Sequence, residues 1–198
     1  MSLAVITGDL VGSTQLSTSQ YDAALLALKT AAHQQVGSFY SLRGDGWQFA
    51  GPKPDHALRI ALTFRAFLKS QSDALDSRFA IAIGDETMMP GQDIQTSNTA
   101  TFVASGRLLD SMNSQILMAH SSGEYAHAAT VLADHISQQW TQKQARTILP
   151  FLTATSKPTQ KQVAADFGVS RQAVGQALDA AGFAAIQSAL NAIETQAK

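Results

Sequence analysis

Asp9 and Asp45 are the residues from which chemistry can be built. Asp9 closes the apolar run Leu3-Ala-Val-Ile-Thr-Gly, and Asp45 stands between two glycines in Leu42-Arg-Gly-Asp-Gly-Trp. The first run reads as a buried strand leading to a site. The second is the tip of a hairpin between strands at 40–43 and 47–50. Two carboxylates on adjacent strands suit Mg2+ or Mn2+ shared with substrate phosphates. Val11, Gly12 and Ser13 come just after Asp9. Their backbone N–H groups, placed at the start of a helix, would cradle a phosphate. Each aspartate also has a plainer use: Asp45 as turn chemistry, Asp9 as the cap of the next turn or helix. Arg43 beside Asp45 then makes a surface ion pair of little energetic worth. Asp85 and Glu86 read as a solvated loop, with a third metal ligand as the alternative. The five histidines show no ligand spacing and receive no role.

A second constellation lies near the C-terminus, from Thr159 to Phe183. Two helices that cross steeply need a small residue at the contact, and Ala164 supplies it. The turn between them needs a residue that tolerates positive φ, and Gly168 supplies it. Val174 on the second helix points at the first, and Val163, Val169 and Leu178 complete a small core. This is the pattern of a helix-turn-helix; the plainer alternative is an ordinary helical hairpin. In the usual docking the second of these helices enters the major groove. Arg171, Gln172 and Gln176 then read bases, Arg suiting guanine and Gln adenine. Thr159, Gln160, Lys161 and Ser170 would meet phosphates near the helix N-termini. The face carries few charges, so two half-sites read by a dimer are expected.

The elements that position these residues are set by periodicity. Strands are expected at 3–6, 40–43, 47–50, 78–83 and 115–120. Helices are expected at 20–39, from Asp55 as cap to about 70, at 101–112, and from 124 towards Trp140. Residues 86–98 read as a loop. The order gives an α/β sandwich of ferredoxin-like type over residues 1–136. A small all-α domain is expected over 137–198, with helices at 142–152, 159–166, 170–181 and 183–197. Trp47 is expected to pack on the core or on a partner domain.

These motifs resemble the catalytic domain of class III nucleotidyl cyclases, from Leu3 to about His120. The stretches that carry the resemblance are Ile6-Thr-Gly-Asp-Leu-Val-Gly-Ser-Thr14, Leu42-Arg-Gly-Asp-Gly-Trp-Gln-Phe49 and Phe79-Ala-Ile-Ala-Ile-Gly-Asp-Glu86. The resemblance implies a head-to-tail dimer with composite sites. It implies Asp9 and Asp45 as metal ligands, with the backbone carbonyl of Leu10. It implies Arg107, in Val103-Ala-Ser-Gly-Arg, as the residue that steadies the transferring phosphate. Two positions depart from the family. Val103 stands where the family has a ribose-orienting asparagine, and Ser41 where it has a base-reading lysine; Thr96 falls near the second base reader. The metal half of the site is kept and the base-and-ribose half is lost, as expected of a domain without cyclase activity. The whole arrangement, with Trp140-Thr-x-x-Gln144 and the helix-turn-helix, also resembles the SatD-like family over nearly its full length.

Composition bounds these expectations. Apolar residues make up 45 % and charged residues 15 %, enough to fill a core. There is no cysteine, which excludes disulfides, Cys-ligated zinc and thiol catalysis. No signal peptide or membrane span is read, and the cytoplasm fits. From His135 on, six basic residues face three acidic ones, so the formal charge of −1 leaves about −4 on the body. A mildly basic tail on an acidic body fits a DNA-contacting module. The leading expectation is a DNA-binding regulator whose cyclase-like domain dimerises and senses a purine nucleotide or metal. The rivals are a divergent cyclase or other phosphoryl-transfer enzyme, and a scaffold dimer in which both aspartates are relics.

Overall fold

The computed structural model describes residues 2–42, 44–86, 99–154 and 157–196. Arg43, Thr96 and most of the loop expected at 86–98 lie outside them. Five strands form one sheet: β1 (Leu3–Leu10), β2 (Ser38–Ser41), β3 (Gly46–Gly51), β4 (Ser77–Gly84) and β5 (Met118–His120), in the order β2-β3-β1-β4-β5. β1 is antiparallel to both β3 and β4, and β2 is antiparallel to β3. β5 joins the far edge parallel to β4. Helices α1 (Thr18–His33) and α2 (Ala57–Gln71) make the two crossovers of the ferredoxin-like unit, and α3 (Ala100–Ser111) carries the chain to β5. The α/β expectation holds.

Alternation along β1 sorts its side chains between two faces. Ala4, Ile6 and Leu10 join Trp47, Phe49, Phe79 and Ile81, and are covered by Leu28 of α1 and Leu58, Leu62 and Phe64 of α2. Trp47 stacks on Phe64 with centroids 5.0 Å apart and donates its indole N–H to Ser77. It therefore belongs to the core. The opposite face carries Leu3, Val5 and Ala50 under Phe102 of α3. Thr7 lies on that face too, hydrogen-bonded to Ser105 at 2.7 Å and accepting from Gln48. Asp9 is the next residue along the same row, which places it beside α3.

Five more helices complete the chain: α4 (Glu124–Gln138), α5 (Gln142–Thr153), α6 (Gln160–Asp166), α7 (Arg171–Ala180) and α8 (Phe183–Gln196). Residue 137 lies within α4. One apolar cluster runs from Leu58 and Ile60 of α2 through Trp140 to Ile148 and Leu152 of α5. The last carbonyls of α2 have no intrahelical partner. The side chains of Gln142 and Arg146 donate to those of Ser70 and Gln71. Arg59 grips Glu194 of α8 through two hydrogen bonds of 2.6 and 3.0 Å. Among the described residues no helix is long and apolar enough to cross a membrane.

Some element bounds differ from the periodicity. The helix expected to reach Phe39 stops at His33, and Ser38–Ser41 is a strand. A Cβ at Gly37 would run into the Ala50 carbonyl and the Phe49 ring. Glycine there lets the chain close onto β3, so sheet pairing overrides the helical pattern. The strand expected at 40–43 accordingly begins two residues earlier. Asp55 does not cap α2; it lies within a 3-10 turn (Pro54–His56), and the N-cap is His56. Glu86 is a partly exposed loop residue that also caps a helix. Its carboxylate accepts the Thr99 hydroxyl and the Thr101 amide at the start of α3, which holds its pKa below the usual carboxylate range.

Candidate functional site

The two aspartates are brought close by register. Asp9 pairs with Gly46 across β1 and β3, and the Leu10 amide donates to the Asp45 carbonyl at 3.3 Å. Gly12 adopts φ 61° and opens a 3-10 turn (Ser13–Gln15). The Ser13 hydroxyl from this turn donates to the Asp45 carboxylate. Val11, Gly12 and Ser13 lead into this short turn and not directly into a long helix. The turn is separated from α1, whose first amides are satisfied by a Ser17–Gln20 capping box. The Val11 amide donates to the Asp76 carbonyl at 3.0 Å, so it is turned into the protein.

Arg78 is the residue that sequence reasoning missed here. It faces Asp9 directly across β1 and β4. Its Nε and Nη2 donate to the two Asp9 carboxylate oxygens, the first at 2.8 Å. Its Nη1 reaches the Leu109 carbonyl of α3. Asp9 holds this guanidinium more firmly protonated, with smaller contributions from Asp110 and Asp45. The signal was available, because an arginine opening β4 sits opposite an aspartate closing β1 once β4 is placed antiparallel.

As they stand, these residues do not fit a two-metal centre. Both Asp9 oxygens are taken by Arg78 and Asp45 accepts from Ser13. Among the described residues no group of three His, Cys, Asp or Glu is placed to hold a metal. A cation must therefore displace Arg78. Mn2+ alone is expected to leave the melting point of the parent unchanged. Arg78→Ala frees Asp9, and Mn2+ at ~100 times its dissociation constant should then stabilise by ~2.7 kcal/mol, a shift of a few degrees. An equal Mn2+ shift in parent and variant would show that Arg78 does not guard the site.

Arg107 is not part of this cluster. The face of α3 against the sheet carries Thr101, Phe102, Ser105 and Leu109, and Arg107 is exposed. Ser41 closes β2 and Val103 is half-buried on α3.

The C-terminal constellation has its own geometry. α6 ends with Gly168 at φ 63°. The Val169 amide donates to Ala164 and the Gly168 amide to Ala165, a Schellman turn that satisfies the last carbonyls. Val163, Ala164, Val174 and Leu178 are buried. Val169, expected in this core, is 44 % exposed. Ser170 caps α7 by accepting from the Ala173 amide, so its own proton stays free to donate. Thr159 caps α6, but its hydroxyl donates to Gln162. Arg171, Gln172, Gln176 and Asp179 stand exposed along one side of α7. With Gln160 and Gly175 they line a shallow polar depression, and exposed Lys161 adjoins Gln160 in α6. Asp179 is the member of this face that was not anticipated.

Two histidines also meet. The His127 ring approaches the backbone of His120, and burial together with His127 pushes the His120 pKa down to about 4. Its folded pKa thus lies below its unfolded value near 6.5. The unfolded chain binds the proton first as pH falls, so stability is lost between about 6.5 and 4 and is unaffected above. The full loss is on the order of 3 kcal/mol. Urea midpoints at pH 7.5 and 4.5 should differ less in His120→Asn than in the parent.

Compared with protein-family models, with curated proteins and with solved structures, the chain matches none of them.

Proposed function

We propose that this chain is a DNA-binding regulator, with α6 and α7 as its helix-turn-helix. The observation that carries the proposal is the Schellman turn at Gly168. It locks α6 against α7 through Val163, Ala164 and Val174 while leaving Arg171, Gln172 and Gln176 free on one side. α7 would enter the major groove, and Ser170, Gln160 and Lys161 would meet phosphates. The sheet body would form a homodimer. In that dimer a second copy's Arg107 completes a degenerate cyclase-like site, and the effector is a purine nucleotide. The exposed position of Arg107 on α3 leaves it accessible to a second copy.

Fluorescence anisotropy with duplex DNA at several salt concentrations tests this. Binding that weakens steeply with salt is expected, because phosphate contacts release counterions. No binding at about 50 mM salt, with the protein folded, overturns it.

A further inference from the structure

The ends of β4 and β5, the turn at Pro54–His56, α4 and α8 border a groove of about 330 Å3. Its walls are mostly apolar, Pro54, Leu58, Ile83, Ala126 and Ile193, with Ser2, Asp55 and Ser122 also lining it. One imidazole stands among them. His120 lines the groove although it is only 6 % exposed. The Ser122 amide donates to its Nδ1 at 3.0 Å. Nδ1 is therefore the acceptor of the neutral ring, and the proton sits on Nε2. No side chain or backbone group among the described residues accepts from Nε2. The low pKa of His120 keeps the ring neutral, so it presents one fixed donor over the whole physiological range.

A mostly apolar wall with a few placed polar groups is the usual build of a small-molecule site, and the volume is of the usual size. The charged side chain that lines it is Asp55, and nearby Glu194 is already paired with Arg59. An anion would meet Asp55 without a free cation among the lining residues to offset it. We propose that this groove binds a small, neutral, mostly apolar molecule with a carbonyl-type acceptor on His120 Nε2. The site is separate from Asp9 and from α7. It joins the sheet body, through Leu58, Ile83 and His120, to the last helix, through Ile193. Its occupancy would therefore tighten the docking of α8.

The test is an NMR titration of the full chain with three probes of similar shape. Acetophenone carries the acceptor, ethylbenzene lacks it and benzoate is charged. Acetophenone should give saturable shifts clustered at Ile83, Ser122, Ala126 and Ile193, and should move the His120 Nε2 signal. Ethylbenzene should bind at least fivefold more weakly, and benzoate should leave the cluster unmoved. Ala126→Phe fills the groove from α4 and should abolish the shifts while the melting curve stays cooperative. Scattered or absent shifts with acetophenone overturn the proposal. So does equal binding of acetophenone and ethylbenzene, or undiminished binding by a folded Ala126→Phe. Neither DNA nor nucleotide enters the experiment, so its outcome is independent of the DNA-binding proposal.

Discussion

Arg65→Met is expected to destabilise the protein by about 3–5 kcal/mol, the usual result of breaking a buried charge pair from one side. The Arg65 side chain is fully buried. Its Nε donates to Asp76 at 2.9 Å, and its Nη1 to Asp134 and Ser137 at 2.7 Å each. The guanidinium carbon lies 5.2 Å from the Phe79 ring centroid. Lys69 adds a second cation, 3.5 Å from Asp76, so two cations face two carboxylates. Methionine replaces the bulk and the ring contact but leaves Asp134, 2 % exposed, without its counter-charge. Asp134 also accepts from the Leu117 amide and from Gln138. Asp134→Asn keeps an acceptor for Leu117 and removes the charge. The double variant should therefore be more stable than the sum of the single losses, by at least ~1 kcal/mol. Urea unfolding of the four proteins measures this coupling. Additive losses would mean that Arg65 acts through packing alone.

That cluster also shows what the sequence could and could not reveal. Arg65 lies seven residues after Leu58 and three before Leu68, so helical spacing puts it on the inward face of α2. An arginine on such a face calls for acidic partners, a signal present in the sequence but not read from it. Which carboxylates answer it was not legible, because Asp76 and Asp134 reach it from a loop and from α4, 11 and 69 residues away. The same division holds at the candidate sites. Asp9, Asp45 and Gly12 were found by type and spacing, since glycine and aspartate mark strand ends and turns locally. The Arg78 bridge depends on strand register, which is fixed only once β4 is placed beside β1. The turn at Gly168 and most of its small core were legible, Val169 excepted, because caps, turn glycine and buried residues all lie close together in the chain. The groove at His120 was invisible, because its walls come from separate elements. The β2 boundary failed for a similar reason: the close approach at Gly37 is set by β3, and helical periodicity could not report it.

Arg171→Ala should weaken binding to a selected DNA site by ~5–150-fold per half-site, as expected when a bidentate base contact worth ~1–3 kcal/mol is lost. The side chain lies in the first turn of α7, the end that reaches deepest when such a helix docks. The loss should fall on selected DNA and much less on random DNA, because a base contact carries sequence information. Lys161→Ala should behave differently. It removes a phosphate partner, so it should weaken binding to all sequences alike and lower the salt slope by about 1. Asp179 gives a third, opposite expectation. It is an acid at the far end of the same exposed side. Against phosphates it repels, so Asp179→Asn should strengthen binding to random DNA. If it reads a cytosine amino group, the same change should weaken binding to selected DNA. Anisotropy titrations of the three variants on selected and random duplexes separate these cases. Uniform losses from Arg171→Ala on both duplexes would demote it from base reader to phosphate contact. No change with any of the three would remove α7 from the interface altogether.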